Sequence, residues 1–163
     1  MAKSRKIGLL WAQFSAYHID RIEAAAIGLS GDFVVQGVQV SKKSHVYAWE
    51  PNESAAGAHL VTLFDDKIYE EIPWMQRLWR QYKALKDCKT VFIGIAFSEP
   101  DIIPLAWMLR LSGVQVIMMS ASKYDDFDRF VWKELFKTML LSVFQGAVVG
   151  GRRQAAYLRF LGF

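Results

Sequence analysis

A lone cysteine, Cys88, leaves this chain with no means of forming an internal disulfide. One thiol in 163 residues suits a reducing compartment, and a cytoplasmic location is the expectation. No catalytic signature surrounds Cys88, so it reads as structural. The three histidines stand far apart and without matching cysteines, which removes the usual zinc spacings. No run of about 18 uncharged apolar residues occurs, so a membrane-spanning helix is not expected. The basic start, Met1 to Lys6, leads into an apolar run that meets Gln13, His18 and Asp20 too early for a signal peptide. Two glycine signatures are also missing. There is no G-x-G-x-x-G after the first strand-like run and no G-x-x-x-x-G-K-[ST] anywhere, so neither a dinucleotide nor a nucleoside triphosphate is an expected ligand.

What is present is apolar and mildly basic. Residues of apolar type make up 53% of the chain, enough for a full core in one domain of 163 residues. The net charge of +4 and a pI near 9.2 permit attraction to phosphate, anionic lipid or a nucleotide diphosphate without selecting one. No nucleic-acid partner is expected.

Strand-like and helix-like segments alternate along the chain. Short apolar or β-branched runs predict strands at Ile7–Ala12, Phe33–Val40, His59–Phe64, Val91–Phe97, Val114–Met119 and Ala147–Val149. Asp65-Asp66-Lys67 is expected to break the third, and a small strand at Tyr47–Trp49 is expected inside the polar loop from Ser41 to Gly57. Helical spacing predicts helices over Tyr17–Leu29, from Pro73 to about Leu85, over Ile102–Leu111 with Asp101 as cap, over Phe130–Phe144, and over Arg152–Leu161. Trp74, Met75, Leu78, Trp79, Tyr82 and Leu85 are expected to pack on the sheet, with the arginines and lysines of that helix in water. A membrane-surface role for this aromatic, basic helix is the alternative. Trp132, Leu135, Phe136, Met139, Leu140 and Val143 are expected in the core. The pattern predicts an α/β fold: one mainly parallel sheet of about six strands with helices on both faces, in a single domain.

Ligands of such sheets bind beyond the carboxyl ends of the strands, so the turns there are the candidate site. After strand one, His18 and Arg21 share a face at a helix start, suited to an anionic or hydroxyl-rich ligand or to a capped, solvated helix end. After strand five come Ser120, Ser122, Lys123, Asp125, Asp126, Asp128 and Arg129. These groups can hold sugar hydroxyls, and an aspartate among them can take a hydroxyl proton. The same aspartates also favour the positive end of the following helix. Ser98-Glu99-Pro100-Asp101 after strand four reads chiefly as turn and cap, and Gly150-Gly151 as a tight turn or a point of close approach.

Taken together, Tyr17-His18-x-x-Arg21-Ile22-Glu23-Ala24, Ser120-x-Ser122-Lys123-Tyr124-Asp125-Asp126, Trp132-Lys133-Glu134-Leu135-Phe136-Lys137, Val148-Val149-Gly150-Gly151 and Ala156-Tyr157-Leu158-x-x-Leu161-Gly162 resemble the amino-terminal domain of bacterial family 4 glycosyltransferases of the GT-B fold. The resemblance spans essentially the whole chain. It implies a Rossmann-like three-layer sandwich that binds a saccharide or lipid-linked acceptor. A donor-binding second domain or subunit would supply the nucleotide-sugar. Transfer would proceed with retention, without cofactor or metal, at the cytoplasmic face of a membrane with a peripheral contact there. On this resemblance Asp125 or Asp126 is the catalytic expectation. Tyr17, His18, Arg21, Ser120, Ser122, Lys123 and Arg129 are the expected acceptor-binding set. Ala121 departs from the family pattern, which places a glutamate between the two serines. The chain alone is expected not to turn over. Two other readings stay open: a non-catalytic docking subunit that pairs with a donor-binding chain, and a flavodoxin-like module with flavin or nucleotide affinity.

Overall fold

Runs that are apolar on both sides of the backbone form strands buried on both faces, and such strands belong inside parallel sheets. The structure, a computed structural model, describes residues 5–46, 54–121 and 130–163. Six strands, β1 (Lys6–Trp11), β2 (Val34–Lys43), β3 (His59–Ile68), β4 (Thr90–Ile93), β5 (Gln115–Ser120) and β6 (Gly146–Val149), form one sheet in the order β3-β2-β1-β4-β5-β6. Every pairing is parallel. Among the described residues five α-helices accompany it: α1 (Ala16–Gly28), α2 (Trp74–Leu85), α3 (Ile102–Leu111), α4 (Val131–Leu141) and α5 (Arg152–Phe160). This is the expected Rossmann-like three-layer sandwich.

The strand order explains which helix covers which face. The chain moves outward from β1 to β2, then returns across the sheet from β3 to β4 and continues outward to β6. Right-handed crossovers in opposite directions put their helices on opposite faces. Alternate side chains accordingly feed two cores. Leu9, Trp11 and Val35 meet Ile19, Ile22 and Ala26 of α1 in the smaller core. Leu10, Val38, Val91, Ile93 and Val116 meet Leu85 of α2, Leu105 and Leu109 of α3, and Leu158 of α5 in the larger one. Each fully buried aliphatic side chain stabilises the fold by about 1.5–3 kcal/mol.

Several elements depart from the sequence expectation. β3 does not stop at Asp65-Asp66-Lys67 but runs on to Ile68. Lys42 pairs with Asp65 at 3.2 Å, the Ser41 hydroxyl donates to the Lys67 carbonyl, and a register shift between Ser41 and Lys43 lets the polar stretch stay in the ladder. β4 ends at Ile93 rather than Phe97. The chain turns where the Glu99 amide donates to the Ala96 carbonyl at 3.0 Å.

The larger corrections concern helix faces. In α2 the buried residues are Arg77, Gln81 and Leu85, while Trp74, Met75 and Trp79 are exposed. In α4 Glu134 and Leu141 are buried, while Trp132, Leu135, Phe136 and Met139 are exposed. Glu134 turns inward because Tyr157 of α5 donates to it at 2.7 Å and Lys137 at 2.8 Å. The expected small strand at Tyr47–Trp49 lies outside the described residues.

Candidate functional site

Between β1 and β4 the direction of strand progression reverses, and a crevice opens beyond the carboxyl ends of strands at such a point. Here an aromatic group fills its floor. Trp11 closes β1 and is only 5% exposed. Its indole lies across Gly94: a Cβ at residue 94 would stand 2.3 Å from Trp11 Nε1 and 3.0 Å from the Met119 methyl of β5. Phe14 meets the indole edge-on at 6.2 Å between ring centres, and the His18 ring tilts against it at 4.8 Å. The ends of β1, β4 and β5 are thereby joined by one packed cluster.

The first turn of α1 builds on this floor. Ser15 is the N-cap residue, in extended geometry. Its amide donates to His18 Nδ1 at 3.0 Å, and its hydroxyl lies 3.1 Å from the same nitrogen. A ring nitrogen that accepts an amide hydrogen carries no proton of its own, so His18 sits in the neutral form with the proton on Nε2. Burial lowers the His18 pKa, against a hydrogen bond with the Gln13 backbone that raises it. Tyr17 stands out from the surface, 56% exposed, with its ring 5.7 Å from His18. The Arg21 guanidinium lies over the Tyr17 ring at 3.9 Å, a cation–π contact. Tyr17, His18 and Arg21 thus form one contiguous group, and each has a partner within it or in the floor below.

Ser120 ends β5, on the same carboxyl edge, next in sequence to the Met119 that reaches Gly94. Ala121 is exposed directly after it. Ser122, Lys123, Asp125, Asp126 and Arg129 lie outside the described residues, as does Asp128. Beyond Ser120, the described site therefore consists of the α1 group and its aromatic floor. Among the described residues no cluster of three or more His, Cys, Asp or Glu side chains is arranged to hold a metal ion.

A second polar centre on this edge was not foreseen. Arg77 of α2 pairs through one terminal nitrogen with Glu99 and with Asp101, both at 2.8 Å. Gln81 donates to the other Asp101 oxygen at 2.8 Å. The guanidinium also stacks over Tyr69, in the short 3-10 turn Tyr69–Glu71 after β3, at 4.5 Å. Asp101 occupies the cap position of α3, but its side chain is spent on Arg77 and Gln81 rather than on capping. Asp101 is fully buried, and burial raises its pKa despite the opposing Arg77 charge. Burial likewise pushes the Tyr69 phenol above its ordinary value. The cluster ties the β3 and β4 ends to α2. Glu99 is its outward member, with about a third of its side chain in water. The sequence signal that would have found it is the pairing of a turn rich in acids with an arginine on the apolar period of α2.

Other features fall away from the site. Burial pushes the Cys88 thiol up to about 11, which suits an inert core cysteine. Gly150 faces open space, while a Cβ on the extended Gly151 would stand 2.9 Å from Gln154 Oε1, the end of a flexible side chain. An open cleft of about 370 Å³ lies at the opposite, amino end of β4 and β5, between Lys89, Arg110 and Gln145. Comparison with protein-family models, with curated proteins and with solved structures finds no match to this chain.

Proposed function

We propose that this chain is the acceptor-binding half of a retaining glycosyltransferase, which moves a sugar from a nucleotide-sugar to a saccharide or lipid-linked acceptor. The observation that carries this reading is the group formed by exposed Tyr17 and Arg21 with half-buried His18, on the same sheet edge as Ser120 and joined to it through the Trp11–Gly94–Met119 floor. The buried Trp11 and Phe14 hold the group in place, and its exposed members, the Tyr17 ring and the Arg21 guanidinium, suit a ring that is apolar on its face and hydroxylated at its rim. Arg21, with Lys123 and Arg129, offsets phosphate charge on a lipid-linked acceptor. Asp125 or Asp126 positions the attacking hydroxyl and takes its proton. The leaving diphosphate is stabilised by a donor-binding counterpart, because electrostatic stabilisation of the leaving group is a large catalytic term and the described edge offers no glycine-rich phosphate cradle.

The test sets the purified chain against a panel of nucleotide-sugars, saccharides and lipid-linked saccharides, with calorimetry for binding and product analysis for transfer. Saturable saccharide binding without turnover is the expected result. Transfer by the chain alone refutes the division of labour. Tight flavin or nucleotide binding replaces it with a flavodoxin-like module.

One observation favours the second reading, a docking subunit without chemistry of its own. Phe130, Val131 and Trp132 are all more than half exposed where α4 begins, at the carboxyl edge of the sheet. An apolar rim there suits a donor-binding chain.

A further inference from the structure

The cleft at the amino edge of the sheet has no part in the transferase reading. β4, β5 and β6 start side by side there, and each start is polar: Lys89 stands just before β4, Gln115 opens β5 and Gln145 stands just before β6. The Gln115 amide donates to the Lys89 carbonyl at 3.0 Å, and the Gln145 amide donates to the Val116 carbonyl at 2.9 Å. The backbone thus fixes the three residues relative to one another. Arg110, in the last turn of α3, completes the lining with Gly113 and Val114. None of these lining residues is acidic.

The side chains of this cleft offer donors. Thr90, which is buried, donates its hydroxyl to Gln115 Oε1 at 3.2 Å. The Val116 amide donates to Gln145 Oε1 at 3.0 Å. A backbone N–H can only donate, so the Gln145 atom that it meets is the carbonyl oxygen. Both side-chain carbonyls are taken by the protein, and both NH2 groups are left as the free ends. Arg110 reaches the Ser142 and Val143 carbonyls, at 3.5 and 3.2 Å, through one terminal nitrogen. Those contacts anchor the guanidinium and leave its other terminal nitrogen for a ligand. Lys89 lies 5.1 Å from the Phe33 ring, and neither cation pairs with a carboxylate of the described residues. The carbonyls at the end of α3 do not compete, because the Gly113 amide donates to that of Arg110 at 2.8 Å and the Val114 amide to that of Leu109 at 3.0 Å. Two amide donors set between two cations suit the oxygens of a phosphate group. The volume of about 370 Å³ leaves room for the organic part of an ester beside it.

We propose that this cleft binds the phosphate group of a small molecule, with Lys89 and Arg110 neutralising its oxygens and the Gln115 and Gln145 NH2 groups donating to them. This inference does not depend on the transferase reading, and its test contains no saccharide. Amide NMR spectra of the chain are recorded with glycerol 3-phosphate, with inorganic phosphate, with glycerol, and with sodium chloride at matched ionic strength. Saturable shifts centred on Lys89, Gly113, Gln115 and Gln145 are expected with the two phosphates, and none with glycerol or chloride. Tighter binding of glycerol 3-phosphate assigns the site to an ester, and tighter binding of inorganic phosphate assigns it to the free ion. Gln115→Glu and Gln145→Glu keep the oxygen that accepts from Thr90 or from the Val116 amide, and each replaces the NH2 donor by a negative oxygen. Each is expected to lower phosphate affinity by at least about tenfold while the thermal midpoint stays that of the parent. Arg110 is left in place because it also holds the end of α4. The proposal is overturned by absence of saturable shifts with both phosphates, by the same shifts in chloride, by shifts centred on Tyr17 and Arg21 or on α5, or by full affinity in either glutamate variant.

Discussion

Trp11 can lie across β4 only because residue 94 has no side chain, and that one absence organises the floor of the candidate site. Gly94→Ala forces the indole aside and is expected to cost about 1–3 kcal/mol, as overpacking does; urea denaturation followed by tryptophan emission reads both the loss and the displaced ring. Arg77 is the opposite case, a charge held inside. Removing it in Arg77→Met strands a buried Asp101 carboxylate and is expected to cost about 3–5 kcal/mol. Adding Asp101→Asn to that variant recovers a large part of the loss in the same denaturation experiment. His18 supplies a pH dependence. Burial keeps its folded pKa below the ordinary 6.5, so the unfolded chain binds the proton more readily. Stability from this residue is therefore present above pH 6.5 and is lost as pH falls through that value toward the folded pKa. Denaturation midpoints measured across this range should slope in the parent and flatten in His18→Gln. None of these three environments was fully legible in the sequence. The contact between Trp11 and Gly94 joins residues far apart in the chain, and an arginine on a helix reads as solvated until a buried acid is known to face it.

At the scale of elements the sequence was a better guide to where helices and strands run than to which way they face. α3 was readable to the residue from Asp101 before it and Gly113 after it, although the Asp101 side chain turns to Arg77 and Gln81 instead of capping the helix. β3 was underestimated because three charged residues resemble a breaker, whereas an edge strand tolerates them when a neighbour supplies Lys42. Of the stripes expected on α2 and α4, the aromatics Trp74, Trp79, Trp132 and Phe136 point outward, whereas Leu85 and Val143, just past α4, are buried as expected and Leu78 and Tyr82 pack partly against the core. Periodicity marks a stripe, and only tertiary partners such as Tyr157 decide whether the stripe or its flank turns inward. α4 tests this directly. Trp132→Ser and Phe136→Ser should change stability by no more than about 0.5 kcal/mol, as surface substitutions do. Leu141→Ala, at the buried end of the same helix, should cost about 2–5 kcal/mol. Thermal denaturation of the three variants separates the two sides of the helix.

For the whole molecule, alternation of strand and helix was enough to give the parallel three-layer architecture, and the strand order then fixes where a ligand has room to bind. The carboxyl edge carries the Tyr17, His18 and Arg21 group, while the amino edge carries the cleft near Lys89 and Gln145. These two edges make the functional account decidable. The most direct measurement is amide NMR of the chain titrated with a panel of saccharides. The account predicts saturable shifts centred on Tyr17, His18, Ser120 and Ala121, abolished in a Tyr17→Ala, Arg21→Ala double variant that remains folded. Shifts centred on Lys89, Arg110 and Gln145, or no shifts with any saccharide, would contradict it.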